Sequence, residues 1–271
     1  MPVADTDIIV YGSANMPEND TGTSGGAIDK TVIILTQNVG DVGGNDTLDV
    51  VSDDAADSTQ TVTITGRLPS GIIDTEVLSL NGTTPDTGAT TFERVLKIVV
   101  SATYAGTLTI SENSGSVTLV TMQGSDDAPG GTAVLEARIL FYDSAAEASG
   151  GSDKELFEKV FVANTHASIA LTSAAIELTV DGTASNILDF DLEGSVNDTN
   201  STTNRVTAPA GGDMVGAPTW ADTQVSVPGG SLGDRVTGTS DHIGVWLQLD
   251  LDAGESPEEV QFTLQTTGQS I

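Results

Sequence analysis

Short apolar and β-branched segments recur along this chain between clusters of glycine, asparagine and aspartate, and this spacing favours a β fold. The segment 60–66 (QTVTITG) alternates strictly, with Val62 and Ile64 on one face and threonines on the other. The segment His242–Leu251 (HIGVWLQLDL) continues the same alternation over a greater length. Threonine, which suits strands, occurs 37 times. The pattern predicts an all-β protein with two β-sandwich domains, immunoglobulin-like or jelly-roll-like, and a glycine-rich N-terminal arm.

Turn-forming residues divide the chain into three parts. Residues 1–30 are rich in glycine and asparagine, and they predict an arm with one short strand at 8–11. Residues 31–123 contain about seven strand-like segments, which is enough for one sandwich. The run GSDDAPGG at 124–131 is typical of a linker, and residues 132–271 form a second β-rich block.

Local turn signals predict two hairpins within the first block. Asn81-Gly82 is a strong hairpin signal, and it predicts that the long strand at 92–102 returns beside the preceding one. The periodicity of that long segment is also compatible with a partly helical structure. A second hairpin is predicted between 106–111 and 116–122, around the turn at 113–115.

Acidic residues dominate the charge of the chain, with 39 Asp and Glu against 9 Lys and Arg and a formal net charge of -30. Such a surface repels nucleic acid and anionic membranes. Only four of the basic residues are lysine. Acid excess together with scarce lysine predicts a protein of a high-salt environment, where the Debye length falls to about 3 Å and self-repulsion is screened. An acidic marine or secreted protein is the alternative.

Three absences limit the possible classes further. The chain contains no cysteine, which excludes disulfides and thiolate metal sites. The N-terminal segment lacks the basic and apolar regions of a signal peptide, so none is expected. No apolar run reaches 18 residues, so we expect no membrane-spanning helix.

The residues that could carry catalysis are few. His166 and His242 are the two histidines, and neither lies near a nucleophile-elbow motif such as G-x-S-x-G. Aromatic residues make up 4% of the chain, which argues against a sugar-binding site. Trp220 and Trp246 are therefore expected to pack in the interior or at an interface. The sequence predicts no catalytic residue, and we expect a structural or binding protein and not an enzyme.

Two acidic clusters are candidates for a hard cation. One lies at 41–49, and the other comprises Asp189, Asp191, Glu193 and Asp198. Calcium takes six to eight oxygen ligands, and neither cluster has the EF-hand spacing. A solvated acidic face is the simpler interpretation. We expect no cofactor, and binding of a divalent or monovalent cation by these loops stays open.

Five segments, taken in order and spacing, resemble a class of virion structural proteins of tailed viruses. They are 11–28 (YGSANMPENDTGTSGGAI), 161–174 (FVANTHASIALTSA), 204–210 (NRVTAPA), 227–232 (VPGGSL) and 243–254 (IGVWLQLDLDAG). The resemblance covers 11–28 and about 140–268. It implies that the second domain is assembled from residues 1–30 and 132–271, with 31–123 inserted.

The resemblance implies a repeated component of a virus particle, and it does not indicate a position in the particle. Our first hypothesis is a capsid decoration, cement or turret protein on the virion surface, which binds the major capsid protein or other virion proteins. Together with the acidity, the resemblance implies a virus of a salt-loving host. A homotrimer is expected, with a homopentamer as the alternative, and the arm and the loop at 194–219 are the candidate docking surfaces. A neck or tail protein, and a receptor- or glycan-binding virion protein, are the alternatives.

Overall fold

The computed structural model describes residues 1–16, 22, 25–34, 41–128, 130–141, 152–181, 187–211, 214, 220, 223–238, 241–254 and 261–270. The regular secondary structure of these ranges is almost all strand, which confirms the predicted all-β class. Within them the helical segments are two short 3-10 turns, Asp5–Asp7 and Pro228–Gly230. The same ranges contain no helix long and apolar enough to cross a membrane.

The described strands, in chain order, are β1 Ile8–Asn15, β2 Gly25–Ile34, β3 Asp41–Asp46, β4 Leu48–Ser52, β5 Thr61–Arg67, β6 Ile73–Ser79, β7 Asp86–Thr87, β8 Phe92–Val100, β9 Leu108–Glu112, β10 Thr118–Met122, β11 Glu136–Arg138, β12 Lys154–Asn164, β13 Leu171–Asp181, β14 Ile187–Leu192, β15 Val225–Ser226, β16 Ser231–Leu232, β17 His242–Leu251 and β18 Gln261–Ser270.

The chain divides into two compact units. Residues Lys30–Leu140 form one, which we call the continuous unit, and Met1–Asp29 together with Phe141–Ile271 form the other, the split unit. The sequence-based boundary lies at 124–131, whereas the structural boundary follows Leu140. The reason is β11, which pairs with β2 and β8 and so belongs to the continuous unit.

The continuous unit is a sandwich of two sheets. In one, β8 lies between β5 and β11, β6 extends it beyond β5, and β3 also pairs with β8. The other has the order β10-β9-β4-β7. Alternate residues of both sheets face one shared core, since Val62 and Ile98 of the first sheet cluster with Val50 and Ile110 of the second.

The split unit also contains two sheets. Its first sheet has the antiparallel order β14-β17-β12-β1, and the first residues of β2 follow β1. In its second sheet, β13 pairs with β18 along one edge and with β15 and β16 along the other. Strand β12 is buried on both faces from Leu156 onward. Charged side chains in this part of the strand therefore lie in the interior of the unit.

Several local predictions differ from the structure. Asn81-Gly82 does not form a hairpin, because β6 pairs with β5 while the following β7 pairs with β4 of the opposite sheet. The segment 92–102, for which a partly helical structure was compatible, is the strand β8. Residues 43–46 belong to the irregular strand β3. The hairpin around 113–115 is confirmed by the β9–β10 pairing.

The predicted N-terminal arm is built into the split unit over its described length. Strand β1 pairs with β12 from Ile8 opposite Asn164 to Gly12 opposite Val160. Tyr11 is buried there, and burial raises the pKa of its hydroxyl to about 12. The described part of the arm is therefore part of the sheet, and residues 17–21 and 23–24 of the predicted docking surface lie outside the described residues.

Candidate functional site

A row of polar side chains crosses the first sheet of the split unit. Lys159 of β12 is opposite Trp246 of β17, and Trp246 is opposite Asp191 of β14. Paired residues of antiparallel strands share a face, so these three side chains leave the same side of the sheet. The chain continues past β14 to Glu193, whose backbone N–H donates to the carbonyl of Gly244 (2.9 Å). The sheet thus places Lys159 beside the acidic segment that follows β14.

The ammonium of Lys159 is enclosed by three acceptors, and its side chain is wholly buried. Its Nζ donates to Glu193 Oε1 (2.9 Å), to Asp198 Oδ1 and to the backbone carbonyl of Asn200 (2.9 Å). That carbonyl also accepts from the backbone N–H of Gly26 (2.9 Å). Since an ammonium has three donors, each of its N–H groups has an acceptor here.

The two carboxylates are held by further donors. Glu193 Oε1 also accepts from Trp246 Nε1 (2.8 Å), and Oε2 accepts from Asn200 Nδ2 (3.0 Å). Asp198 Oδ2 accepts from the backbone N–H of Gly244 (3.0 Å). Each carboxylate therefore has one oxygen on the ammonium and the other on a separate fixed donor.

Aromatic rings surround the cluster and exclude water. The Nζ of Lys159 lies 4.9 Å from the ring centroid of Phe161 and 5.3 Å from that of Trp246. Burial raises the pKa of Asp198 above its usual range; the adjacent Lys159 charge opposes this shift, and the charge of Glu193 adds to it. In such a setting the charged form of Asp198 loses hydration, and its neutral form becomes more accessible.

Two glycines make room for the cluster. A Cβ on Gly244 would lie 2.5 Å from Lys159 Cε and 2.7 Å from Asp198 Oδ2. Gly25 has a φ of +91°, and a Cβ there would lie 2.7 Å from Cη2 of Trp246. Both positions therefore require glycine, because a larger residue would displace the lysine or the indole.

Of the four predicted metal ligands, two meet. Glu193 and Asp198 converge, but the group between their oxygens is the ammonium of Lys159. Asp191, two residues before Glu193, is buried on β14, and its Oδ1 accepts from the N–H of Leu192 (2.8 Å). Asp189 is half-buried on the same strand. No group of three or more histidines and carboxylates in the described ranges is placed to hold a metal ion.

The described carboxylates of the acidic cluster at 41–49 hold turns and strand pairs in place. Asp46 accepts from the N–H groups of Thr47 (2.8 Å) and Ser114 (2.7 Å), so it fixes the turn between β9 and β10. Asp49 accepts from the hydroxyl of Thr87 (2.6 Å) across the β4–β7 pair. These carboxylates stabilise turns and strand pairs.

Both histidines make local contacts. His166 Nδ1 accepts from the backbone N–H groups of Ser168 (3.1 Å) and Ile169 (3.0 Å), which closes a turn. His242 Nδ1 lies 2.6 Å from Asp241 Oδ1, at the start of β17. The tryptophan expectation also holds, since Trp246 is fully buried and Trp220 packs against Phe157 with ring centroids 5.5 Å apart.

Sequence reasoning did not identify Lys159 or Asn200 as part of a site. A signal for Lys159 exists, because it lies between Phe157 and Val160 in an apolar segment of a chain with few lysines. A lysine in a strand that is buried on both faces requires internal acceptors. Asn200 has no such signal, since its contact arises from the path of the loop after β14.

The segments that resemble virion proteins meet in the split unit. Asn164, within the segment 161–174, donates through Nδ2 to the carbonyls of Ile169 (2.9 Å) and Gly233 (3.1 Å). Thr165 donates through its hydroxyl to the carbonyl of Asp7 (2.9 Å). Phe161 and Val162 of the segment 161–174 also pair with Gly244 and Ile243 of the segment 243–254. These residues fasten β1, β12, β16 and β17 together.

Burial removes charges of both signs from the surface. The buried acidic residues of the described ranges are Asp57, Glu112, Glu158, Asp191, Glu193, Asp198 and Asp241. Lys159, Arg138 and Arg205 are each at most 3% exposed. At least three of the nine basic residues are thus removed from the surface of a chain with 39 acidic residues. The exposed charge is accordingly dominated by carboxylates.

No family model and no curated protein matches this chain. Among solved structures, it is aligned with the VP2 subviral particle of infectious bursal disease virus at a TM-score of 0.14 and 10% identity, over 100% of this chain and 68% of that one. A structure of the Gx strain of the same virus gives a TM-score of 0.14 and 13% identity, over 97% of this chain and 69% of that one. The chain spans about two thirds of the length of these proteins. A TM-score of 0.14 carries no argument about fold or role.

Proposed function

We propose that this chain is a structural component of a tailed-virus particle, and that it decorates or cements the capsid shell. It has no catalytic turnover in this proposal. Its partner is the major capsid protein lattice, on which it assembles as a homo-oligomer, in the first instance a trimer. Its location is the outer surface of the virion of a salt-loving host.

The observation that carries this proposal is the spatial convergence of the virion-like segments. Segments 161–174 and 243–254 pair at one end of the β12–β17 ladder, with Phe161 opposite Gly244 and Val162 opposite Ile243. Asn164 joins 161–174 to the chain just after 227–232, and Phe157, which precedes 161–174 on β12, donates its backbone N–H to the carbonyl of Arg205 within 204–210 (2.6 Å). Segments that resemble one protein class in order and spacing thus form one hydrogen-bonded framework.

A second line of support is that side chains of the types used in catalysis make structural hydrogen bonds here. His166, Asn164, Asp57 and Glu193 all bind groups within their own unit, and each stabilises a turn or a strand connection. A protein built this way resists deformation through many parallel contacts. That property suits a component of a pressurised shell better than it suits an enzyme.

The charge suits the proposed location. A strongly acidic outer face keeps particles apart and stays hydrated in molar salt, where screening removes most of its self-repulsion. Repeated copies on a symmetric lattice add their weak contacts, so modest affinity per copy gives stable binding to the shell.

Quantitative mass spectrometry of purified particles tests this proposal. Labelled peptides from each unit are added as internal standards, and the copy number is expressed relative to the major capsid protein. We expect a copy number of the same order as that of the major capsid protein. A handful of copies per particle would instead place the protein in the neck or tail, and absence from particles would contradict any virion role.

A further inference from the structure

We propose that Lys159 and Asp198 become joined by an intramolecular amide bond after folding, with Glu193 as the catalytic residue that transfers the proton. This cross-link would be a covalent modification of the split unit, and it does not depend on where the protein lies in a particle. It would connect the middle of β12 to the loop that follows β14.

The nucleophile and the electrophile are already in contact. Lys159 Nζ donates directly to Asp198 Oδ1, and both side chains are at most 1% exposed. The position of the carboxyl group is fixed from the other side, because its Oδ2 accepts from the N–H of Gly244 (3.0 Å). The reacting side chains are therefore held together in the interior of the unit, which favours an intramolecular reaction.

Glu193 is placed to move the proton. Its Oε1 accepts from Lys159 Nζ (2.9 Å), and Trp246 and Asn200 hold its two oxygens in place. A second carboxylate on the same ammonium is more than charge balance for one lysine requires. Its position beside the nucleophilic nitrogen is that of a general base.

The reaction balances without an oxidant or a co-reactant. A proton first passes from the ammonium of Lys159 to Asp198 Oδ1, which gives an amine and a carboxylic acid. The amine lone pair attacks Cγ, and the negative charge that develops on Oδ2 is stabilised by the N–H of Gly244. Glu193 accepts a proton from the nitrogen and passes it to Oδ1. The Cγ–Oδ1 bond then breaks, and water leaves as the amide forms.

Burial favours this outcome over a permanent ion pair. Two buried charges lose hydration that their mutual attraction does not always replace. Condensation removes both the Lys159 and the Asp198 charge, while Glu193 keeps donors from Trp246, from Asn200 and from the new amide N–H. The chain has no cysteine, so this bond would supply the kind of covalent closure that a disulfide gives to other proteins.

Intact-mass spectrometry of the purified full-length protein is the first test. We expect a mass lower than that of the sequence by one water molecule, after allowance for the N-terminal methionine. Trypsin should fail to cut at Lys159 and should give the peptide 155–205, also lacking one water, because Lys159 is the only basic residue between 155 and 204. Chymotrypsin should then leave two fragments joined through Lys159 and Asp198.

Three variants assign the roles. Glu193→Gln and Asp198→Ala should each have the full sequence mass, whereas the control Glu177→Gln on β13 should retain the loss of water. Circular dichroism spectra establish that each variant is folded. A wild-type protein with the full sequence mass would overturn the proposal whatever the variants do. A water loss that maps to other residues, or that persists undiminished in Glu193→Gln, would overturn the assignment of the bond or of the base.

Discussion

Replacement of Trp246 tests how far the polar cluster and its aromatic wall stabilise the split unit. The indole is fully buried, contacts the position of Gly25 and donates through Nε1 to Glu193 (2.8 Å). Removing a buried tryptophan side chain costs about 3–5 kcal/mol, because it leaves a cavity that relaxes only in part. Trp246→Ala should therefore lower the free energy of unfolding of the split unit by about that amount.

The variant Trp246→Phe separates packing from hydrogen bonding. Phenylalanine keeps most of the ring but cannot donate to Glu193. That carboxylate retains Lys159 and Asn200 as partners, so it is not left without donors. We expect a loss of about 1.5–3 kcal/mol for Trp246→Phe, which is the usual range for one hydrogen bond to a charged group.

Urea titration in molar salt, followed by far-ultraviolet circular dichroism, gives the free energies by linear extrapolation. Because the chain has two compact units, hydrogen exchange measured on peptides from β12 and β17 reports the split unit specifically. Trp220→Phe is the matched control, since that ring is half-exposed, and it should change stability less than Trp246→Phe. A change below about 0.5 kcal/mol for Trp246→Ala would refute the reasoning, since surface substitutions have effects of that size.

Three further perturbations test the rest of the account. The melting temperature should rise between about 0.1 M and about 3 M salt, because screening removes repulsion among the carboxylates; a flat profile in a thermal-shift assay would contradict the high-salt interpretation. Burial opposes ionisation of Asp57, but hydrogen bonds from Ser52 and from the N–H groups of residues 105 and 106 outweigh it and hold its pKa below the usual range. A depressed folded-state pKa adds stability above the unfolded-state value, and that stability is lost as pH falls through the folded-state pKa; Asp57→Asn should therefore flatten the acid limb of stability below about pH 4, and an unchanged limb would contradict this. Gly82 has a φ of +58°, and a Cβ there would lie 2.9 Å from the carbonyl oxygen of Ala55, so Gly82→Ala should destabilise the continuous unit by about 1–3 kcal/mol in the same urea assay, whereas an effect near zero would show that the turn relaxes freely.

Clearly alternating segments of the sequence were sufficient to predict individual strands. The bounds of the segment 242–251 coincide with those of β17, and the bounds of the segment 60–66 lie within one residue of those of β5. Each of these segments is long and apolar, or alternates clearly, so local pattern and tertiary burial agree. The hairpin at 113–115 follows for the same reason, because its two strands are neighbours in both sequence and space.

Strand partners were harder to predict than strands. Asn81-Gly82 has the chemistry of a tight turn, but the chain uses it to pass from one sheet to the other. Gly82 donates its N–H to the carbonyl of Asp57 and accepts from the N–H of Ser52 through its own carbonyl. These partners lie more than 20 residues away, and a local turn signal contains no information about them. β11 was grouped with the wrong block for the same reason.

The candidate site, too, was only partly predictable from the sequence. The acidic residues at 189–198 were considered as a cation site, but the positive charge that two of them contact comes from a different strand. The cross-strand register and the loop after β14 together bring Lys159 to Glu193 and Asp198. Acidic residues are so abundant in this chain that no spacing rule distinguishes the two that lie on a buried lysine from those in solvent. The lysine is the more informative residue, because charge in a doubly buried strand needs a specific reason.

An icosahedral reconstruction of purified particles would show directly whether this protein is a component of the virion shell. We expect density for the two compact units at repeated positions on the outer surface of the capsid lattice, in contact with the major capsid protein. Density confined to a single vertex or to the tail, or a shell without any such feature, would contradict it.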